Sequence, residues 1–376
     1  MKFVLAGYGT RGDVEPFAAL ARELRGRGHD VCLAVPPWML GFVESTGLDA
    51  VTFGTNPPPL GGVDDVVRRV TQILADWSTG FATLANGADL LVTGKGEQRV
   101  AANVAEYYGI PHAALHFFPG DPAIPGGLMG ELTQRAHDAQ RRDLGLPDVA
   151  AAAREPLEIQ AYEEFCFPGL AAEWSLQGKR RPFVGALTLQ LPTGADDEVL
   201  SWIAAGTPPI YFGFGGAITL PDPAETVAVI TAACAQLGER ALIGGGPPGS
   251  APAGQVKFVD VVNHAAIFPA CRAVVHHGGA GTTATAMRAG VPALILWQAS
   301  DDQPVWAAAI TRLGVGFGRE FRSTTSDLLI AGLRSVLAPD CVARARELAA
   351  TTTAPAESVA RAADLLEDAA DAGRGG

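Results

Sequence analysis

The chain has 376 residues, of which 48% are hydrophobic and 18% charged, enough apolar surface to offset ordering entropy and enough length for two domains, so a disordered chain is excluded. Its 28 Lys and Arg against 40 Asp and Glu give a net charge of −12, divided evenly as −6 over residues 1–190 and −6 over 191–376. Neither half carries the clustered basic charge on which nucleic-acid binding rests, so no nucleic-acid partner is expected.

From the start, the apolar run Phe3 to Ala6, a glycine cluster, then Val14, Phe17, Ala21 and Leu24 at helical spacing and the run Val31 to Val35 predict a strand, helix, strand unit. The pattern recurs with a helix over Asp65 to Asn86, a strand over Leu90 to Val92, a helix over Val100 to Tyr108 and a strand over His112 to Leu115. Such alternation means parallel strands joined by crossover helices. Pro119 to Gly130 reads as a functional loop, and the helical stretch carrying Arg135, Arg141 and Arg142 presents them as a solvated face. A strand-like segment, Phe183 to Leu187, gives way to TLQLPTGADDE, taken as the interdomain linker. A second alternation follows: strand Ile210 to Phe214, helix Ala224 to Leu237, strands Ala241 to Ile243, Val256 to Val259 and Ala273 to His276, a short helix to Ala289, strand Ala293 to Trp297, and a last helix over Ala356 to Ala370 that could pack on either domain. Two doubly wound domains of this plan put both sets of strand C-termini at one cleft, where open α/β sheets bind ligands.

The five cysteines, Cys32, Cys166, Cys234, Cys271 and Cys341, are odd in number and never spaced as CxxC, which indicates neither a disulfide framework nor a zinc site and fits a reducing cytoplasm. The opening MKFVLAGYGT is too short in apolar run for a signal peptide, and no segment approaches the length of a transmembrane span.

Gly7, Gly9 and Gly12 match G-x-G-x-x-G between a strand and a helix, the context of a dinucleotide fingerprint. That fingerprint also requires an acid at the end of the second strand, where this chain has Val35, Pro36 and Pro37, so an NAD reading is disfavoured. Asp13, directly after the loop formed by Gly9, Thr10, Arg11 and Gly12, admits two roles: a helix N-cap, with Pro16 in the first turn, or a general base accepting a proton from an acceptor hydroxyl at the lip of the cleft.

In the second half, a buried strand runs through His276 and His277 into Gly278, Gly279, Ala280, Gly281, Thr282 and Thr283. Unpaired first-turn N–H groups, the helix dipole and glycines that let oxygen approach the backbone make this an anion site, without the Lys of a Walker loop. Neighbouring strand residues point to opposite faces, so one imidazole of the pair adds hydrogen bonds and the other is structural. About 20 residues on, Asp301, Asp302, Gln303 and Pro304 stand at a strand end. Asp302 with Gln303 could hold vicinal sugar hydroxyls or merely cap a helix, and the nearby anion loop favours the first.

VVHHGGAGTT, then RAGVP, then DDQPVWAAAI resemble the donor-binding signature of the inverting nucleotide-sugar glycosyltransferases of the GT-B fold, family 1 type, in the branch that includes glycopeptide-antibiotic and sterol glycosyltransferases. GTRGDVEPFAALARELRGRGHDV resembles the opening of the same branch, so the likeness covers nearly the whole chain. It implies an α/β GT-B fold of two facing doubly wound Rossmann-like domains with a cleft between them: an acceptor-binding domain at 1–190, a donor-binding domain at 191–355, and a helix at 356–376 packing back on the N-terminal domain. It implies Asp13 as base, diphosphate contacts from His276, Gly279, Ala280, Gly281 and Thr282, further donor-binding positions at Gly215, His277 and Gly278, sugar contacts from Asp302 and Gln303, and the nucleoside against Val261 and Val262, with no metal and no further cofactor. Gly9 to Gly12, His116 and Phe117 would line the acceptor side, with Phe118 and Trp38 as supporting aromatics. The chain departs from the pattern at Gly216, where Ser is usual, at Trp297, where Pro is common, and in its short length, for which 119–130 is the expected site of trimming.

The expected activity is inverting transfer of a hexose from a UDP- or dTDP-sugar to a hydroxyl of a lipophilic small molecule, such as a natural-product aglycone, glycolipid or sterol-like compound, with at most weak peripheral membrane contact. The rivals are a catalytically silent nucleotide-sugar-binding homologue that assists a partner enzyme, and a nucleotide-sugar epimerase, which the GDVEP segment disfavours. No motif bears on oligomeric state.

Overall fold

Short, fully buried apolar runs alternating with amphipathic segments build two units of the same plan in the computed structural model, which describes residues 1–56, 63–120, 127–147, 156–178, 181–215, 223–245, 254–298 and 302–374. Unit 1 comprises Met1–Glu164, Pro168–Leu189 and Pro355–Gly376, and unit 2 comprises Phe165–Phe167 and Gln190–Ala354.

Unit 1 contains β1 (Lys2–Ala6), α1 (Arg11–Gly26), β2 (Asp30–Val35), α2 (Leu40–Ser45), β3 (Val51–Thr52), α3 (Val63–Leu84), β4 (Leu90–Gly94), α4 (Gln98–Tyr108), β5 (His112–His116), α5 (Gly127–Asp143), β6 (Leu157–Gln160) and α6 (Leu170–Leu176). Its six strands, all parallel, lie in the order β3-β2-β1-β4-β5-β6. Strands buried on both faces need a continuous apolar sequence, which Phe3 to Ala6 and Leu90 to Val92 supply. One face of the sheet packs on Phe17, Leu20 and Leu24 of α1, the other on Trp77 and Phe81 of α3 and Val100 and Val104 of α4.

Unit 2 contains α7 (Asp196–Ala204), β7 (Ile210–Gly213), α8 (Pro223–Leu237), β8 (Ala241–Gly244), β9 (Val256–Val259), α9 (His264–Ile267), β10 (Ala273–His276), α10 (Ala280–Arg288), β11 (Ala293–Trp297), α11 (Gln303–Leu313), β12 (Gly316–Glu320), α12 (Ser326–Val336) and α13 (Pro339–Ala349). The strand order is β12-β11-β10-β7-β8-β9, which in chain order is the same doubly wound topology as in unit 1. In each unit the order reverses beside the first strand, at β1/β4 and at β7/β10, and the carboxyl ends of those strands are where such sheets bind ligands. The last helix, α14 (Pro355–Arg374), belongs to unit 1. It buries Val359, Ala362, Ala363, Leu366 and Ala370 in the core beside α1, and its rim is tied by Arg27 to Asp364 (2.6 Å), His29 to Glu367 (2.6 Å) and Arg374 to Asp89 (2.7 Å).

Four sequence expectations are corrected. The loop read through Gly130 ends earlier, for α5 begins at Gly127; residues 121–126 lie outside the described residues. Arg141 is not on a solvated face: it is buried, forks onto Glu106 at 2.7 and 3.1 Å and donates to Asn103 Oδ1 and Pro147 O, a bidentate pairing that compensates the guanidinium for lost water. Phe183 to Leu187 makes only an isolated bridge from Phe183 to Gln160. The end of the presumed linker is helical, because the acidic run Asp196-Asp197-Glu198 occupies the first turn of α7, where negative charge suits the helix dipole.

Candidate active site

In unit 1, β1 ends in Gly7-Tyr8-Gly9 and turns into α1. A Cβ on Gly7 would come within 2.6 Å of the Phe17 ring, so glycine is what lets α1 close on the strand. Gly9 has φ +142°, and a Cβ there would strike the Asp13 carboxylate. Thr10 is the N-cap of α1, and Asp13 is the third helical residue rather than the cap. Its Oδ2 accepts from the Thr10 amide (2.7 Å) and the Thr10 hydroxyl (3.0 Å), the reciprocal arm of a capping box. Pro16 correspondingly falls in the second turn, not the first. Capping therefore fixes the carboxylate's orientation, and the two roles left open for Asp13 are compatible in one geometry. Arg11 is turned to Glu15 (2.8 Å) and lies over the Phe42 ring, while Gly12 stands exposed in the first turn.

An aromatic wall adjoins this loop. Trp38 is 42% exposed, donates its indole N–H to Gly9 O (2.8 Å) and meets Tyr8 edge to face at 5.3 Å. Tyr8 also contacts Trp77 and Phe53 in T-shaped pairs. The sequence reading named Trp38 but not Tyr8, Phe53 or Trp77, whose scatter over 70 positions hides their convergence. Of the two residues expected in the acceptor lining, His116 is buried and Phe117 partly exposed. His116 is 1% exposed and its Nε2 bonds Gln98 Oε1 (2.8 Å); Gln98 in turn donates to Glu158 (2.7 Å), which pairs with Arg181. Phe117 packs edge-on to Phe17 against the core.

Glu97 is a residue the sequence reading missed. It opens α4 just past the end of β4 and is 4% exposed. Burial, and after it the charge of Asp13, pushes its carboxyl up to about 8, while hydrogen bonds from its own amide and that of Tyr8 act the other way. The only trace in the sequence is the glycine pair in Gly94-Lys95-Gly96-Glu97 at a strand's carboxyl end.

In unit 2, the chain leaves β10 at His276 and enters α10 at Ala280. His276 is 0% exposed, its Nδ1 accepts from the Gly278 amide (3.1 Å), and burial holds its pKa well below the usual value. It braces the loop from inside, although it was the imidazole expected on the diphosphate, and of the pair His277 is the partly exposed one. The His277 ring sits between two glycines: a Cβ on Gly215, at φ +77°, would come within 2.9 Å of Cε1, and one on Gly279 within 2.7 Å of Nε2. Burial lowers its pKa, opposed by the charge of Asp302 and by the Gly213 backbone. Gly278, at φ +100°, leaves no room for a Cβ against Ile295 and the Gln303 backbone (3.2 Å), and so seats the loop on the start of α11. The anion loop and Asp302-Gln303 are thus neighbours, as their spacing implied.

The first turn of α10, Ala280-Gly281-Thr282, has no side-chain cap. Thr283 and Thr285 return their hydroxyls to Gly279 O and Gly281 O within the helix. Asp302 is the N-cap of α11 by position, yet makes no side-chain cap bond. Gln303 is buried, its Oε1 accepting from the Gln298 amide (2.9 Å) and closing the loop from β11. Across the sheet edge, Asp196 accepts from the amides of Asn263 and Thr193, pinning the β9–α9 turn, which leaves Val261 53% exposed and Val262 buried. Gly216 and Asp301 lie outside the described residues. Among the described residues no three His, Cys, Asp or Glu converge as metal ligands would, and no helix is long and apolar enough to cross a membrane.

Residues 3–108 match the model of the glycosyltransferase family 28 N-terminal domain, and residues 247–365 that of the erythromycin biosynthesis protein CIII-like C-terminal domain. A protein named uncharacterized glycosyltransferase Rv1524 from Mycobacterium tuberculosis (strain ATCC 25618 / H37Rv) is 54% identical, covering 98% of this chain and 99% of its own length. That alignment runs over 415 positions against 376 residues here, so the relative carries segments this chain lacks. The vancomycin aglycone glucosyltransferase of Amycolatopsis orientalis is 31% identical over 98% of each chain. Among solved structures, the spinosyn forosaminyltransferase SpnP matches with TM-score 0.74 at 19% identity, covering 98% of this chain and 99% of its own. The glycosyltransferase VinC in complex with dTDP matches with TM-score 0.65 at 20% identity, covering 99% of this chain and 100% of its own. With two six-stranded parallel sheets and relatives of this identity along nearly its whole length, the chain belongs to the GT-B-fold glycosyltransferases related to those of antibiotic biosynthesis.

Proposed function

We propose that the protein transfers a hexose, with inversion, from a UDP- or dTDP-sugar to a hydroxyl of a lipophilic small molecule, without a metal. The observation that carries this reading is the convergence in unit 2 of His277, the uncapped first turn of α10 and the Asp302-Gln303 pair around Gly278. First-turn amides and the helix dipole suit a diphosphate; a carboxylate and an amide beside them suit sugar hydroxyls. Val261, held out beside the same edge, offers an apolar surface to a nucleoside. A neighbour's capture with dTDP supports a pyrimidine nucleotide.

In unit 1, Asp13 takes the proton of the acceptor hydroxyl. The acceptor oxygen bonds the anomeric carbon, the sugar–phosphate bond breaks, and its electron pair leaves with the nucleoside diphosphate, whose charge the α10 amides stabilise. Thr10 holds the carboxylate by one oxygen, and the wall of Trp38, Tyr8 and Trp77 offers an apolar, aromatic surface to the acceptor beside it.

Calorimetric titration of the metal-free protein with UDP, dTDP, GDP and NADH tests the donor side: binding of UDP or dTDP and not of NADH is expected, and binding of NADH alone overturns the reading. Asp13→Asn tests the chemistry. Turnover should fall by about 10²–10⁴-fold with the nucleotide dissociation constant unchanged, whereas retained turnover, or parallel loss of both, removes Asp13 as base and also separates an enzyme from a silent homologue.

A further inference from the structure

We propose that Tyr211 is a positioning residue for the nucleoside half of the donor: through His264 its hydroxyl sets the turn between β9 and α9, so that a preference for a pyrimidine nucleoside diphosphate over a bare diphosphate depends on one hydrogen bond. This rests on the donor reading of unit 2.

The strands dictate where the phenol goes. Tyr211 is the second residue of β7 and is buried in the sheet. Two residues on, and so on the same face, stands Gly213, and Gly244 ends the neighbouring β8. A Cβ on Gly213 would lie 2.6 Å, and one on Gly244 2.8 Å, from the Tyr211 hydroxyl oxygen. The two glycines keep open the path along which the ring runs over the sheet. The hydroxyl thereby reaches the carboxyl end of β7 and β8, the edge at which a doubly wound sheet takes its ligand.

There it meets His264, the first residue of α9, at 3.0 Å from Nε2. The imidazole stacks on Phe268, with centroids 4.5 Å apart and 16° between the planes. Buried Phe268 also lies against the Tyr211 ring at 5.1 Å. Stacking fixes the plane of the imidazole, and the hydroxyl fixes its rotation within that plane. Asn263, one residue before, caps α9 with its Oδ1 on the Ala265 amide (3.1 Å), and its own amide goes to Asp196 (2.9 Å). The turn formed by residues 260–263 is thus anchored at its α9 end both by a carboxylate from α7 and by a phenol from the sheet, while Val261 stands out from it.

Phenylalanine would fill the same space without bringing a polar atom into the interior that has to be satisfied. What the hydroxyl adds is direction, and the turn it directs is the one assigned to the nucleoside. The loop assigned to the diphosphate is held by other means: the Gly278 amide on His276 (3.1 Å) and the fit of Gly278 against Ile295 and Gln303. The two halves of the donor therefore rest on separate supports within unit 2, and loosening one should spare the other.

Tyr211→Phe keeps the ring and removes the hydroxyl. His264→Phe keeps a ring on Phe268, removes Nε2 and leaves the buried strand as it is, so it carries the test if the first variant fails to fold. Calorimetric titration of wild type and variants with UDP, dTDP and inorganic pyrophosphate reads the two halves apart. In either variant the dissociation constant of the nucleotide should rise about tenfold, about 1.4 kcal/mol, with that of pyrophosphate unchanged. The double variant should bind the nucleotide no more weakly than the single ones, because all three lose the same bond. A merely structural role would weaken both ligands together, or lower the melting temperature and leave both affinities alone. Either of those results, or additive losses in the double variant, overturns the proposal. If wild type binds pyrophosphate as tightly as UDP and dTDP, the nucleoside reading of this edge falls and the proposal with it; if wild type prefers the nucleotide and the variants keep that preference, the proposal alone falls.

Discussion

The two units share one topology and place their loops at the same switch point, yet the first helix at each site ends differently. In α1, the N-terminal amide of Thr10 is met by the chain's own Asp13 carboxylate. In α10, Gly279 caps without a side chain and Ala280, Gly281 and Thr282 present their amides with no acid among them. A helix N-terminus attracts negative charge. Unit 1 fills that demand from within and so fixes a carboxylate, whereas α10 of unit 2 has no acid in its first turn. On the proposed reading one fold element serves a base in one unit and a diphosphate in the other, and the difference is a single residue type in the first turn.

The sharpest way to break the contrast is to give α10 its own acid. A Cβ at Gly281 meets nothing within 4 Å, so Gly281→Asp should fold, and its carboxylate in the first turn should add about 0.3–1 kcal/mol of stability through the helix dipole. The same charge would repel a diphosphate. We expect the dissociation constant for UDP or dTDP to rise by about 100-fold or more, about 2.7 kcal/mol, with the melting temperature unchanged or raised. Lost stability with unchanged affinity would mean that the diphosphate does not sit there.

A second, smaller effect separates the units by stability. Burial pushes the Glu97 carboxyl up to about 8 from the ordinary 4.5, so between those values the folded state holds a proton that the unfolded state has released. Stability from this group is therefore fully present below about pH 4.5 and is lost as pH rises through about 8. Glu97→Gln removes the loss, and its advantage over the wild type in urea unfolding should grow steadily between pH 4.5 and 7.5. An advantage that does not vary with pH would mean Glu97 is ionised in the fold. Buried His276 works with the opposite sign: its depressed pKa contributes stability above the usual imidazole range that is lost as pH falls through it.

What was legible in the sequence follows from how local each signal is. The runs that become β1, β4, β7 and β10 are apolar because both faces of a parallel strand are covered, and glycines after them mark close approaches, so both loops could be placed from the residues alone. Signals that depend on a distant partner failed. Arg141 looked solvated because Glu106 and Asn103, which bury it, lie on another helix. Phe183 to Leu187 looked like a strand by composition, but Pro182 supplies no amide and only Phe183 bridges β6. Glu97 sits in a Lys-Gly-Glu-Gln segment that reads as a wet turn, and nothing local in that segment signals its burial. Asp196-Asp197-Glu198 was the avoidable error, since an acidic first turn is a local helix signal.

The smallest expected effect concerns the unit 1 edge and separates its two components, the carboxylate and the aromatic wall. Trp38 touches both: its indole N–H holds Gly9 O, and its ring stands against Tyr8 with much of its surface open. Trp38→Phe keeps an aromatic ring and removes the hydrogen bond. Because the Gly9 carbonyl lies at the surface, water can replace the lost donor, and the cost to stability should be about 0.5–1 kcal/mol. If the indole N–H serves to hold the loop that positions Asp13, kcat falls by a few fold at unchanged KM for the acceptor. If the ring serves the acceptor, Trp38→Phe leaves both constants close to wild type and Trp38→Ala raises KM with kcat unchanged, the mark of binding that is equal in ground and transition states. The exposed ring face beside a carboxylate already oriented by Thr10 favours the second outcome, because Thr10 holds Asp13 without help from the indole.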